Sequence, residues 1–161
     1  MSEINFNSGE IFTMAEQIER NGARFYRAAA KNNPSVRDLL LSLAEMEDQH
    51  LATFEQMYRD FSANDTEKGA FDPEGEAAAY LSSMANGNVF DVTKDPVEML
   101  KGNESIEEII RIAIGLEEDS IMYYLGMKEL VLKRSGKDQV ELIIKEEMRH
   151  ITLLSNRLSG I

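Results

Sequence analysis

The chain has 161 residues with 29 acids against 17 bases, a formal net charge of -12, and neither cysteine nor tryptophan. Phosphate binding needs a concentrated positive surface, so no nucleic acid and no anionic membrane is expected as a partner. The missing thiols exclude disulfides, zinc ribbons and iron-sulfur centres within this chain, so any electrons it handles arrive from another molecule.

Met1 to Gly9 carries neither a basic cluster nor an apolar run, so export is not expected and cytoplasm is the expected location. Helical periodicity begins near Ser8 and runs to about Lys31, with Phe12, Ala15, Glu19, Gly22, Tyr26 and Ala29 recurring in steps of three and four. Asn33-Pro34 then reads as an N-cap followed by proline in the first turn, opening a second helix over about 34–61. Its seam is Val36, Leu40, Leu43, Glu47, His50, Phe54, Met57 and Phe61. So short a connection makes these two helices antiparallel neighbours.

Residues 62–104 lack long periodicity and read as a crossover, in which Asp72-Pro73 and Asp95-Pro96 predict short helices near 73–85 and 96–101. The capping box Ser105-Ile106-Glu107-Glu108 starts a third long helix, about 105–134, with the seam Ile106, Ile110, Ala113, Glu117, Ser120, Tyr124, Met127 and Val131. Its most apolar part, Ile109 to Leu116, is interrupted by Arg111, which argues against membrane insertion. After Ser135-Gly136 a fourth helix is predicted over about 137–158, with Val140, Ile143, Glu147, His150, Leu154 and Leu158 on one face. The expectation is one all-α domain, residues 1–161, in which two helical hairpins joined by a long crossover with short helices form a four-helix bundle.

The two halves also match each other. Phe25-Tyr26 superposes on Tyr123-Tyr124 at an offset of 98, which brings Glu19 onto Glu117, and Glu47-x-x-His50 superposes on Glu147-x-x-His150 at an offset of 100. Both histidines of the chain therefore follow a glutamate by one helical turn. Glutamate fills roughly one position in eight, so that coincidence has a chance likelihood of about one in sixty. A single Glu-x-x-His is ordinarily a solvated surface pair, but these two interrupt apolar stripes at mid-length. Four carboxylates buried without partners would cost several kcal/mol each or take up protons. Two divalent cations balance four carboxylates, with two neutral imidazoles completing the shell, and an oxygen-rich set with one nitrogen per metal suits iron or manganese. The candidate ligands are Glu19, Glu47, His50, Glu117, Glu147 and His150. Tyr26 and Tyr124, two turns beyond Glu19 and Glu117, read either as core aromatics or as phenol donors that hold a ligating carboxylate.

In this order, Glu19, Glu47-x-x-His50, Glu117 and Glu147-x-x-His150 resemble the rubrerythrin-like branch of the ferritin-like superfamily, over essentially the whole chain. The resemblance implies a ferritin-like bundle holding two iron ions, with manganese or a mixed pair as variants, and commonly a homodimer. It further implies an oxidoreductase of oxidative stress that reduces hydrogen peroxide or dioxygen with electrons from an external donor. Two departures stand out. Rubrerythrins proper append a rubredoxin domain with iron-binding cysteines, which this chain lacks, and they place a second glutamate where this chain has Ser120. Two other functions are compatible with the same ligands: a ferroxidase or iron-storage protein, and a metal-stabilised interaction module with an acidic surface.

Overall fold

Among the described residues, 8–63, 74–85, 91–131 and 134–160, the periodic segments form five α-helices in the computed structural model. These are α1 (Ser8–Lys31), α2 (Arg37–Ala63), α3 (Glu76–Ala85), α4 (Ile106–Leu130) and α5 (Arg134–Ser159), with 3-10 turns at Pro34–Val36 and Pro96–Met99. Helix α1 has the expected bounds. Ahead of α2, Asn33 is not the side-chain cap expected from the sequence: its Nδ2 donates to Ala29 O at 2.8 Å, so it closes α1 instead. Pro34, with no N–H and a preset φ, then starts the 3-10 turn that leads into α2.

The crossover differs most from expectation. Asp72-Pro73 lies outside the described residues, and α3 begins later than predicted, directly after Gly75, whose φ of +70° is the left-handed conformation glycine tolerates. Asp95 does cap, accepting from Val97 N at 3.0 Å, but the following element stops after Met99. Leu100 is extended there, and the amides of Lys101 and Gly102 turn to the Glu104 carboxylate, with Gly102 at φ +95°. The Ser105 capping box forms as predicted, with Glu108 N donating to Ser105 Oγ at 3.1 Å and Ser105 N to Glu108 Oε2 at 2.8 Å. Helix α4 ends at Leu130, earlier than expected, and Ser135-Gly136 falls inside the first turn of α5 rather than in a break. A Cβ on Gly136 would lie 2.6 Å from Val131 Cγ1, so its bareness lets α5 start tight against the end of α4.

Helices α1 and α2 pack as one hairpin and α4 and α5 as the other, with α1 meeting α4 and α2 meeting α5. Helix α3 lies on α4, where Tyr80 Oη donates to Met122 O at 2.7 Å; a Cβ on Gly126 would lie 2.5 Å from the Tyr80 ring, so glycine makes the approach possible. Residues 91–99 lie along α1, tied by Asn21 Nδ2 to Val92 O at 3.0 Å and by an Arg24–Asp95 ion pair at 2.5 Å. The core is two apolar layers. One gathers Phe12, Phe54, Leu81, Tyr123, Met127 and Val140, and the other gathers Phe25, Leu40, Leu43, Ile109, Ile110 and Leu154. The predicted seams are buried at mid-helix, while Phe61, Ile106, Val131 and Leu158 at their ends are half-buried. No helix among the described residues is long and apolar enough to cross a membrane.

Candidate metal centre

Between the two apolar layers, each long helix contributes one mid-length glutamate: Glu19, Glu47, Glu117 and Glu147, from α1, α2, α4 and α5. One turn on, α2 and α5 add His50 and His150. All six residues are buried, none more than 4% exposed, so the structure brings together the whole set expected from the sequence. Their potential ligand atoms form two quartets, Glu19, Glu47, His50, Glu147 and Glu47, Glu117, Glu147, His150, each with its atoms within 4.8 Å of one another. Glu47 and Glu147 belong to both quartets.

Both imidazoles turn Nδ1 inward. His50 Nδ1 lies 3.1 Å from Glu147 Oε1, 3.5 Å from Glu19 Oε2 and 3.7 Å from Glu47 Oε2. His150 Nδ1 lies 2.9 Å from Glu147 Oε2, 3.3 Å from Glu117 Oε1 and 3.4 Å from Glu47 Oε1. The rings stack at 5.6 Å between centroids and 18° between planes. Glu19 Oε2, Glu147 Oε2 and His150 Nδ1 are buried without an aligned hydrogen bond, although His150 Nδ1 and Glu147 Oε2 are near neighbours. Buried polar atoms are normally satisfied. Carboxylate oxygens and imidazole nitrogens that converge in this way, three of the atoms unpaired, fit divalent cations, one per quartet.

Tyr26 and Tyr124 act across the bundle. Tyr26 Oη donates to Glu117 of the opposite hairpin and Tyr124 Oη donates to Glu19, a reciprocal arrangement that resolves their reading in favour of carboxylate donors. Burial and the surrounding carboxylates push both phenols well above their ordinary pKa, so they stay neutral and donating.

Two further contacts were not anticipated. His50 Nε2 meets Glu146 Oε2 at 2.6 Å, and His150 Nε2 meets Met46 Sδ at 3.1 Å. Glu146 and Met46 each precede a candidate ligand, and the offset of 100 superposes them, which is the signal in the sequence that could have found them.

Charge in the cluster is balanced by protons. Burial, then repulsion from Glu47 and Glu147, raises Glu19 and Glu117 well above the usual carboxylate range. Burial also pulls Glu47 and Glu147 upward, but Glu19 and both imidazoles beside Glu47, and the imidazoles and Glu117 beside Glu147, outweigh it and hold both below that range. For His150 burial lowers the pKa, yet the Glu117, Glu147 and Glu47 carboxylates within 3.4 Å of Nδ1 drive it up to about 12. The carboxylates around His50 raise it likewise, against the same burial.

A cavity of about 450 Å³ runs between α1 and α4 to this cluster. Its inner wall includes Gly22, Tyr26, Glu47, Glu117 and Ser120, and its outer wall includes Val92 and Met99 of the crossover. A Cβ on Gly22 would stand 3.4 Å from Glu47 Cγ and Cδ, so the bare glycine leaves that carboxylate uncovered. Ser120 Oγ donates to Leu116 O at 2.9 Å and so makes no bond to the cluster.

No protein-family profile and no curated protein matches the chain. Among solved structures it is similar to a Thermotoga maritima protein assigned as ferritin-like and diiron-carboxylate, with a TM-score of 0.70 and 24% identity over 96% of this chain and 95% of that one. The likeness establishes the ferritin-like helical bundle.

Proposed function

We propose that the chain is a di-iron oxidoreductase of rubrerythrin-like type, which reduces hydrogen peroxide or dioxygen with electrons from an external donor. The observation that carries this reading is the pair of buried quartets sharing Glu47 and Glu147, a donor set for two neighbouring ions. The diiron-carboxylate assignment of the Thermotoga protein supports it. Oxygen-rich ligation with one imidazole per position favours iron, with manganese or a mixed pair as the variants. Two such ions would supply positive charge and paired one-electron donors for reducing an oxygen–oxygen bond.

The chain's own residues bind and orient. Glu47 and Glu147, common to both quartets, would serve both ions, while Glu19 with His50 and Glu117 with His150 would each serve one. Tyr26 and Tyr124 donate to Glu117 and Glu19 and so orient those two carboxyl groups. The apolar layers exclude bulk water above and below, and the cavity gives a small oxidant a path to the Glu117 side.

The test is elemental analysis of protein purified without added metal, followed by anaerobic loading with Fe(II) and stopped-flow mixing with peroxide or dioxygen. Rapid oxidation by either, at one oxidising equivalent per iron, is the expected result. Iron-loaded protein inert to both would overturn the reading and leave a metal-stabilised interaction module. Assembly into a closed multi-subunit shell would instead favour iron storage.

A further inference from the structure

The duplicated halves are not equivalent outside the ligands. Behind His50 stands the Glu146 carboxylate, 2.6 Å from Nε2, whereas behind His150 stands the Met46 thioether, 3.1 Å from Nε2. These two residues occupy the same position of the repeat, so the difference lies where the pseudo-twofold would otherwise make the sites alike. A carboxylate that accepts the outer N–H of an imidazole fixes the ring and strengthens the inner nitrogen as a donor. A thioether sulfur is only a weak acceptor. An independent observation points the same way. Of the four residues that belong to one quartet only, Glu117 lines the cavity and Glu19, His50 and His150 do not, so this cavity opens on the position that contains Glu117.

Building on the two-metal reading above, we infer that the two positions have separate roles. The position of Glu19 and His50, backed by Glu146, holds a tightly bound resident ion. The position of Glu117 and His150, backed by Met46 and open to the cavity, holds an exchangeable ion that accepts small exogenous oxygen- or nitrogen-donor ligands. Glu146 is then a positioning residue: it touches neither ion nor substrate and acts through the His50 ring. Outer hydrogen-bond partners of metal-binding histidines are worth about 10- to 100-fold in affinity. Glu146 is half-exposed, its side chain 48% accessible, so water weakens its effect towards the lower end of that range.

The experiment is an anaerobic titration of metal-free protein with Co(II), whose visible bands report its ligands, followed by calorimetry and visible absorption, with azide as the ligand probe. Wild type should take up cobalt in two steps separated by about tenfold or more, and azide should change the spectrum after the second step and not after the first. Glu146→Gln should weaken the tight step by about tenfold and leave the weak step unmoved, while Met46→Glu should tighten the weak step. A Glu146 that served only the fold would shift the thermal melt of the metal-free protein and change both steps or neither. Two ions bound with equal affinity, azide sensitivity at the first step, or parallel loss of both steps in Glu146→Gln would overturn the inference. A wild-type chain that binds no cobalt would overturn the two-metal reading itself, a separate failure.

Discussion

Loading the centre with metal should expel protons, and the structure sets how many. In the metal-free cluster the histidines are cationic well past neutrality, His150 with a pKa of about 12 and His50 also raised, because each turns a ring nitrogen towards three carboxyl groups. Glu19 and Glu117, pushed up first by burial and then by Glu47 and Glu147, are the carboxyls that retain protons. Metal ligation requires neutral imidazoles and ionised carboxylates. At pH 7, filling both positions therefore releases at least the two imidazolium protons and as many as two more, between about two and four per chain. Each displaced proton steepens the dependence, so the product of the two binding constants should rise about 100-fold or more per pH unit. Calorimetric titration with Mn(II) in buffers of equal pH and different ionisation enthalpy measures the number directly. A slope near zero would mean that the cluster holds neutral imidazoles and ionised carboxylates before metal arrives, and the protonation pattern argued here would be wrong.

The same shifts govern the stability of metal-free protein. His50 and His150 have folded pKa values above their unfolded ones, so their contribution is complete below about pH 6.5 and is lost as pH rises through the raised values. Glu47 and Glu147, held low, contribute above about pH 4.5 and lose that contribution on further acidification. The melting temperature should accordingly rise when metal-free protein is brought from about pH 9 to about pH 6.5 and fall again below about pH 4.5, and a steady fall across the whole range would contradict it. Glu47→Ala or His150→Ala should leave fewer than two ions bound per chain by elemental analysis, since each removes a ligand from at least one quartet. Tyr26→Phe and Tyr124→Phe each delete a buried hydrogen bond to a carboxyl group and should cost about 2 kcal/mol in urea unfolding, with similar losses because the two bonds are related by the repeat. Ser120→Glu places a carboxylate in the cavity wall one turn beyond Glu117 and should alter the ratio of peroxide to dioxygen oxidation rates; identical rates and an unchanged metal spectrum would show that the new side chain does not reach the ions.

Why the cluster was legible while its surroundings were not follows from the physics of each. The six candidate ligands interrupt apolar stripes, and a buried carboxylate must have a reason, so Glu19 and Glu117 were found despite having no histidine nearby in sequence. The stripes themselves were too narrow. Phe25, Ala44, Tyr123 and Ile144 are buried beside the seams because each long helix faces more than one neighbour, which a single-face reading does not anticipate. Helix ends shifted where another contact prevailed over the expected one: at Asn33 a local bond back to Ala29 of α1 replaces the cap ahead of α2, and at Gly136 the bareness serves a close approach rather than a break. The contacts of Glu146 and Met46 cross from one hairpin to the other, since each residue serves the histidine of the opposite half. Sequence adjacency assigns Glu146 to His150 and Met46 to His50, the reverse of what the folded bundle does. The duplication thus supplies two similar half-sites, and the exchange of partners across the bundle turns a one-residue difference between the halves into a difference between the two positions.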